Sequence, residues 1–84
     1  MRILHRETNQ IFDEMEIFLT VEEADKLIGY LQWLVENHEQ GDAFHLDTDL
    51  KGTEYQKELT IAVYTETNQQ HFDERTKKLI KYDE

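Results

Sequence analysis

One helix in the first half of the chain constrains the fold most, because its start, its apolar face and its end are all visible in the sequence. Thr20 is followed three residues later by Glu23, the pattern of a capping box at a helix N-terminus. Gly41 comes after NHEQ and is a typical helix terminator. Between these signals, apolar residues recur at helical spacing: Ala24, Leu27, Ile28, Leu31, Leu34 and Val35. The pattern predicts a helix over about residues 21 to 39, with Leu31 buried at the centre of its apolar face.

Alternating residues ahead of this helix predict a β-hairpin. Residues 2–7 alternate weakly, and TNQ at residues 8–10 supplies turn chemistry. In the stretch that follows, one strand face would carry Ile11, Met15, Ile17 and Leu19, and the other Phe12, Glu14, Glu16 and Phe18. Two acidic side chains, Glu14 and Glu16, would therefore be presented on a strand.

A second pair of strands is predicted after the helix. In the first of them, one face would carry Phe44, Leu46 and Leu50, and the other His45, Asp47 and Asp49. KGTE forms the turn, and YQKELTIAVYT continues as a strand rich in β-branched and aromatic residues. On this strand one face would carry Leu59, Ile61 and Val63, and the other Thr60, Ala62 and Tyr64.

The end of the chain predicts a short C-terminal helix. Its apolar positions are Phe72, Thr76, Leu79 and Ile80, and Asp73 and Glu74 suit its first turn. The element order is then ββαββ followed by this helix, which is an α+β arrangement. We expect a single domain over residues 1–84, built as an antiparallel sheet of about four strands with one main helix packed on a face.

The charge is strongly acidic and unevenly distributed. Nineteen acidic side chains oppose nine basic ones, for a net charge of −10. From Glu7 to Asp49 there are twelve acids and a single base, Lys26. Such a surface repels nucleic acid and anionic membranes and attracts cationic surfaces, so the expected partner is a basic protein. Solubility alone is the other explanation of this charge. The chain has no cysteine, and neither a signal-peptide pattern nor a bilayer-length apolar run, which favours a cytoplasmic location.

The sequence DTDLKGTEYQKE, residues 47 to 58, resembles a calcium-binding loop in its acids and its glycine. However, Lys51 occupies a position where such a loop needs an oxygen ligand. Calcium loops of this kind also join two helices, whereas the sequences on either side here are typical of strands. The stretch is therefore predicted to be the turn of a hairpin, with no metal bound.

Catalysis is not expected from this sequence. Cysteine and serine, the commonest nucleophiles, are both absent, and the four histidines have no metal-site spacing. His45 and Asp47 share one strand face and form the only pair that could point at a common site. A solvated strand surface is the more frequent reason for such a pair, so no enzyme activity and no cofactor are predicted.

Trp33 lies away from the apolar face of the predicted helix. It is then either covered by another element, such as the C-terminal helix, or exposed as a contact residue.

The bases of the tail are Arg75, Lys77, Lys78 and Lys81. Asp73 and Glu74 lie within one turn of Lys77 and Lys78, so internal charge balance is the expected role of these bases.

Three short stretches, TVEEAD, FHLDTD and ELTIAVY, resemble the small α+β immunity proteins of bacterial polymorphic toxin systems over about residues 17 to 65. The resemblance implies a cytoplasmic inhibitor that binds a cognate toxin, often a nuclease, and blocks it. It transfers no functional residue: His45 and Leu46 match the pattern, but their positions also suit packing.

The primary hypothesis is a non-catalytic binding protein that neutralises a basic toxin, as either a monomer or a homodimer. The candidate partner-binding residues are Glu14, Glu16, Trp33, Glu36, Glu39, Asp47, Asp49 and Tyr64. Trp33 or Tyr64 would supply the central aromatic contact. The alternative is a small metal-dependent enzyme or sensor that uses His45 and Asp47.

Overall fold

The structure is a computed structural model that describes residues 1–47 and 57–84. The regular elements are β1 (Leu4–His5), β2 (Gln10–Ile11), α1 (Val21–Glu36), β3 (Ala43–Asp47), β4 (Glu58–Ala62) and α2 (Glu74–Tyr82). Single turns of 3-10 helix lie at His38–Gln40 and Gln69–His71. The predicted turn of the calcium-like stretch and the candidate residue Asp49 lie outside the described residues. No helix in the described part of the chain has the length and apolar content that a membrane span requires.

The strands form two separate antiparallel pairs, β1 with β2 and β3 with β4. The α+β class is confirmed, but the described strands do not join into the predicted single sheet of about four strands. The predicted first hairpin is present only as two-residue strands, with Leu4 opposite Ile11. After Ile11 the chain runs without regular structure to Thr20. Acidic residues are poor strand formers, and three of the four residues from Asp13 to Glu16 are acidic.

Helix α1 begins as the capping box predicts. The backbone N–H of Glu23 donates to the Thr20 hydroxyl at 3.1 Å, and the Thr20 N–H donates to the Glu23 carboxylate at 2.9 Å. The α-helix ends at Glu36, and the remaining predicted turn is 3-10 helix. Gly41 ends this turn with a φ of 70°. A Cβ at that position would lie 2.7 Å from the His71 Cβ, so this site requires glycine both for its backbone angle and for its space.

The buried face of α1 is rotated from the predicted one. Leu34 is buried, with 1% of its surface exposed, and Leu27 and Tyr30 are half-buried. Leu31 is 44% exposed, so the prediction that it is buried is wrong. Neighbouring strands lie about 4.8 Å apart, so a sheet of two strands covers only a narrow strip of a helix about 10 Å wide. One flank of the wide apolar face is therefore left outside the core.

Strands β3 and β4 have the predicted alternation in their described side chains. Their register places Phe44 opposite Ile61 and Leu46 opposite Leu59, and these four side chains are buried or half-buried. Residues of the other face are exposed: Ala43, His45, Glu58, Thr60 and Ala62. The inner face packs against α1, where the Tyr30 ring stacks on the Phe44 ring with centroids 4.6 Å apart.

Asn68 fixes the connection between β4 and α2. Its side chain is fully buried, and its amide nitrogen donates to the carbonyls of His38 at 2.5 Å and Val63 at 2.9 Å. Its amide oxygen accepts from the Thr65 N–H at 2.7 Å. One side chain therefore holds the end of β4 against the 3-10 turn that follows α1.

Helix α2 confirms the predicted C-terminal helix and joins the two ends of the chain. Leu79 and Ile80 are buried, and the guanidinium of Arg2 donates to the Ile80 carbonyl at 3.3 Å. The Lys77 ammonium lies 3.2 Å from the Glu74 carboxylate, as the expected internal charge balance requires.

The carboxylate of Asp73 should make α2 sensitive to acid. This N-cap accepts from the Thr76 N–H at 2.7 Å, and the hydrogen bonds from Thr76 lower the pKa of Asp73. Because the folded pKa is depressed, the stabilisation is present at neutral pH and is lost as the pH falls through that pKa, below the usual aspartate value of about 3.9. Asp73→Asn keeps a good N-cap without titrating. We expect the variant to lose less stability than the parent between about pH 5 and pH 2, measured by urea unfolding; identical acid responses would contradict this.

Candidate functional site

Three of the candidate partner-binding residues lie in the last turn of α1 or just after it. Trp33 is 39% exposed, and its ring packs edge-on against Phe44, with centroids 5.3 Å apart and planes at 89°. Its aromatic partner is thus on β3, and not on the C-terminal helix that the sequence suggested as a cover. Glu36 and Glu39 are exposed, and both line a shallow depression together with Asn37 and Gln40. We call Trp33, Glu36 and Glu39 the helix-end surface.

The electrostatics of the helix-end surface are uncompensated in the described residues. The last turn of α1 contains no base, although the carbonyl end of a helix carries partial negative charge. Two carbonyls of this last turn accept hydrogen bonds from side chains that follow it. The Asn37 side-chain amide donates to the Trp33 carbonyl at 3.0 Å, and His38 Nδ1 donates to the Val35 carbonyl at 2.9 Å. Two glutamates therefore add to the negative end of the helix dipole, beside a half-exposed indole.

Glu14 and Glu16 form a second acidic group. Both are exposed on the irregular segment that precedes α1, whereas the helix-end surface follows it. Helix α1, which has 16 residues and a length of about 24 Å at 1.5 Å per residue, begins after the first group and ends at Glu36 of the second.

Tyr64 lies apart from Trp33. Trp33 packs on the inner face of the β3–β4 pair, while Tyr64 is 39% exposed and continues the alternation of the outer face. Tyr64 is two residues beyond the end of β4, and its exposure continues the outer-face pattern, whereas Trp33 contacts Phe44 of the inner face. A partner that contacts the helix-end surface would use Trp33 as its aromatic anchor.

His45 on the outer face is engaged with β4. Its Nδ1 lies 2.8 Å from the Glu58 carboxylate and 2.7 Å from the Thr60 hydroxyl. Asp47 is opposite Glu58 in the strand register. Sequence reasoning missed Glu58 as the partner of His45, because Thr60 and Glu58 come near His45 only through the register of the strand pair. Within residues 1–47 and 57–84, no three His, Asp or Glu side chains are grouped as metal ligands.

Sequence reasoning also missed a row of exposed apolar residues on α1. Val21 is 89% exposed, and Ile28, Leu31 and Val35 are 64%, 44% and 63% exposed. We call these four residues the apolar row. The only sign of this row in the sequence is the width of the apolar face of α1, which is greater than a pair of strands can cover. The geometry of the chain therefore offers contact surfaces: an acidic helix end with an aromatic anchor, and an apolar row.

The chain matches no protein-family model, no curated protein and no solved structure.

Proposed function

We propose that this chain is a non-catalytic inhibitor that binds a basic protein toxin directly, as the immunity proteins that it resembles do. The observation that carries the proposal is the helix-end surface, where the exposed Glu36 and Glu39 follow a half-exposed Trp33 at the end of α1. The two glutamates and the indole have separate physical roles in binding a cationic protein.

The acidic residues supply the electrostatic part. From Glu7 to Asp49 the net charge is −11, and the ion pair found there among described residues joins Lys26 to Glu22 at 3.8 Å. Acids without a basic neighbour keep their full attraction for an approaching cation. A nuclease surface is basic because it binds phosphates, so an acidic inhibitor can occupy that surface in place of the nucleic acid.

Trp33 supplies the part that resists dissociation. Tryptophan buries a large area with few rotatable bonds, and truncating such an anchor commonly costs more than about 2 kcal/mol of binding energy. The edge contact with Phe44 already holds the indole in one orientation. A partner would therefore bury its exposed part at little further cost in side-chain entropy.

Charge reversal at the helix end tests this proposal. Glu36→Lys with Glu39→Lys should slow association at least about tenfold at low ionic strength, because steering by opposite charge is lost. Dissociation should also accelerate, since both positions belong to the proposed contact surface. The measurement is surface plasmon resonance against the protein encoded by the adjacent reading frame, over a range of salt concentrations.

Glu14→Lys with Glu16→Lys is the matched control, because it changes the net charge by the same amount elsewhere. It should slow association through the overall field and leave dissociation unchanged. If the helix-end variant keeps the association rate and salt dependence of the parent protein, or if the adjacent protein does not bind at all, the proposal fails.

A further inference from the structure

The apolar row on α1 lies on a different flank of the helix from Trp33. Val21, Ile28 and Val35 are seven residues apart, so their side chains are nearly aligned along the helix, and Leu31 lies beside them. Val21 and Val35 are separated by about 21 Å at 1.5 Å per residue. This length equals about four helical turns.

The row is too exposed to serve the core. Leu34 on the same helix is 1% exposed, whereas Ile28 and Val35 are each more than 60% exposed. Water-exposed aliphatic side chains at this density are stabilised when another apolar surface covers them. An apolar line of i, i+7 and i+14 positions on a helix is the geometry that a second amphipathic helix covers.

The border of the row defines the charge of that partner. Asp25 lies one helical turn from both Val21 and Ile28, and Glu36 follows Val35 at the end of the helix; both are exposed. The single base of α1, Lys26, is on the opposite side of the helix and pairs with Glu22. A second copy of this chain would bring further acids and no base from α1 to such an interface, and like charges across an interface are unfavourable.

We infer that the apolar row, with Asp25 and Glu36 at its border, is a docking surface for a basic amphipathic helix of a partner protein. The partner helix places apolar side chains on the row and lysine or arginine beside the two carboxylates. Glu36 belongs both to this border and to the helix-end surface, whereas Asp25 and the apolar row belong to the border surface alone. The inference goes beyond the proposed function because it assigns a helix, seated on the apolar row, as the partner element.

A designed peptide tests the surface directly. The probe is a fluorescein-labelled 14-residue helix of leucine and lysine with one apolar face, and its binding is measured by fluorescence anisotropy. Ile28→Asn with Val35→Asn should weaken binding about tenfold or more, because two of the four apolar contacts of the row are lost. Both positions are exposed, so the melting temperature of the variant should stay close to that of the parent.

Two controls separate the apolar row from general acidity. Glu22→Gln with Lys26→Gln lies on the opposite side of α1, leaves the net charge unchanged as the test variant does, and should alter binding less than about twofold. A peptide with serine in place of leucine keeps the positive charge and should bind the parent more weakly than the leucine–lysine peptide does. It should bind the parent and the Ile28→Asn/Val35→Asn variant with the same affinity.

Three results would overturn the inference. The leucine–lysine peptide could bind the parent and the double variant equally. The parent could sediment as a dimer that the double variant dissociates, which would assign the row to a second copy. The parent could bind phosphatidylcholine vesicles through the row, which would assign it to a membrane surface. If the protein encoded by the adjacent reading frame binds the parent and this double variant equally, the proposed function stands and the row is not part of that interface.

Discussion

Leu34→Ala should lower the free energy of unfolding by about 2–5 kcal/mol, while Leu31→Ala on the same helix should lower it by less than about 1 kcal/mol. Leu34 is the buried residue of α1, which packs on β3, so its truncation removes packing and leaves a cavity. Leu31 is 44% exposed, so water already reaches much of the side chain and can fill the space that the truncation leaves.

The two variants form a matched pair, because the chemical change and the helix are the same. Both should be compared by urea denaturation with a common slope, so that a shift in midpoint measures stability. A domain of this size has a total stability of about 4–13 kcal/mol, so Leu34→Ala could leave the chain largely unfolded at 37 °C. Equal losses for the two variants, or a larger loss for Leu31→Ala, would show that α1 buries the face predicted from its sequence.

The parts of the fold that could be predicted from sequence are those with local causes. The N-terminus of α1 follows from Thr20 and Glu23, which satisfy each other's backbone donors. Its end follows from Gly41, whose positive φ is accessible to glycine. The N-cap Asp73 and the alternation of β3 and β4 have equally local origins. Each of these features depends on residues within a few positions of one another.

The errors concern contacts between distant residues. Whether two hairpins join into one sheet depends on the edges that they present, and no short pattern encodes that choice. The single-sheet prediction then led to the wrong buried face, because a wider sheet would have covered Leu31 as well as Leu34. The same limit applies to the candidate site: Trp33 and Phe44 meet only after α1 packs on β3, and His45 meets Glu58 only through the strand register.

Asn68 is the clearest residue that sequence reasoning passed over, and its replacement should have a large effect. Sequence gives it no special status, because an asparagine in a polar stretch is normally a surface turn residue. In the structure its side chain is fully buried and makes three hydrogen bonds to backbone groups. Asn68→Ala removes all three and leaves a cavity.

The cost of Asn68→Ala should be about 3 kcal/mol or more. A buried polar group that loses its partner costs about 1–3 kcal/mol. The Val63 carbonyl and the Thr65 N–H would lose the bonds that Asn68 makes to them, while the His38 carbonyl keeps the Gly41 N–H at 3.2 Å. Urea unfolding measures the loss, and Gln70→Ala, at an exposed neighbouring position, is the control that should change stability by less than about 0.5 kcal/mol.

Asn68→Asp distinguishes the hydrogen bonds from simple volume, because aspartate has nearly the same shape as asparagine. Its carboxylate can still accept from the Thr65 N–H, but its second oxygen would face the carbonyls of His38 and Val63 in place of a donor. An ionised carboxylate in this buried site would face these two carbonyl oxygens, with no basic side chain bonded at the site to balance its charge. Asn68→Asp should therefore be at least as destabilising as Asn68→Ala at pH 7. It should recover part of that loss near pH 4, where the carboxyl takes up a proton and can again donate. If the two variants unfold with the parent's midpoint, Asn68 does not hold β4 against the turn after α1.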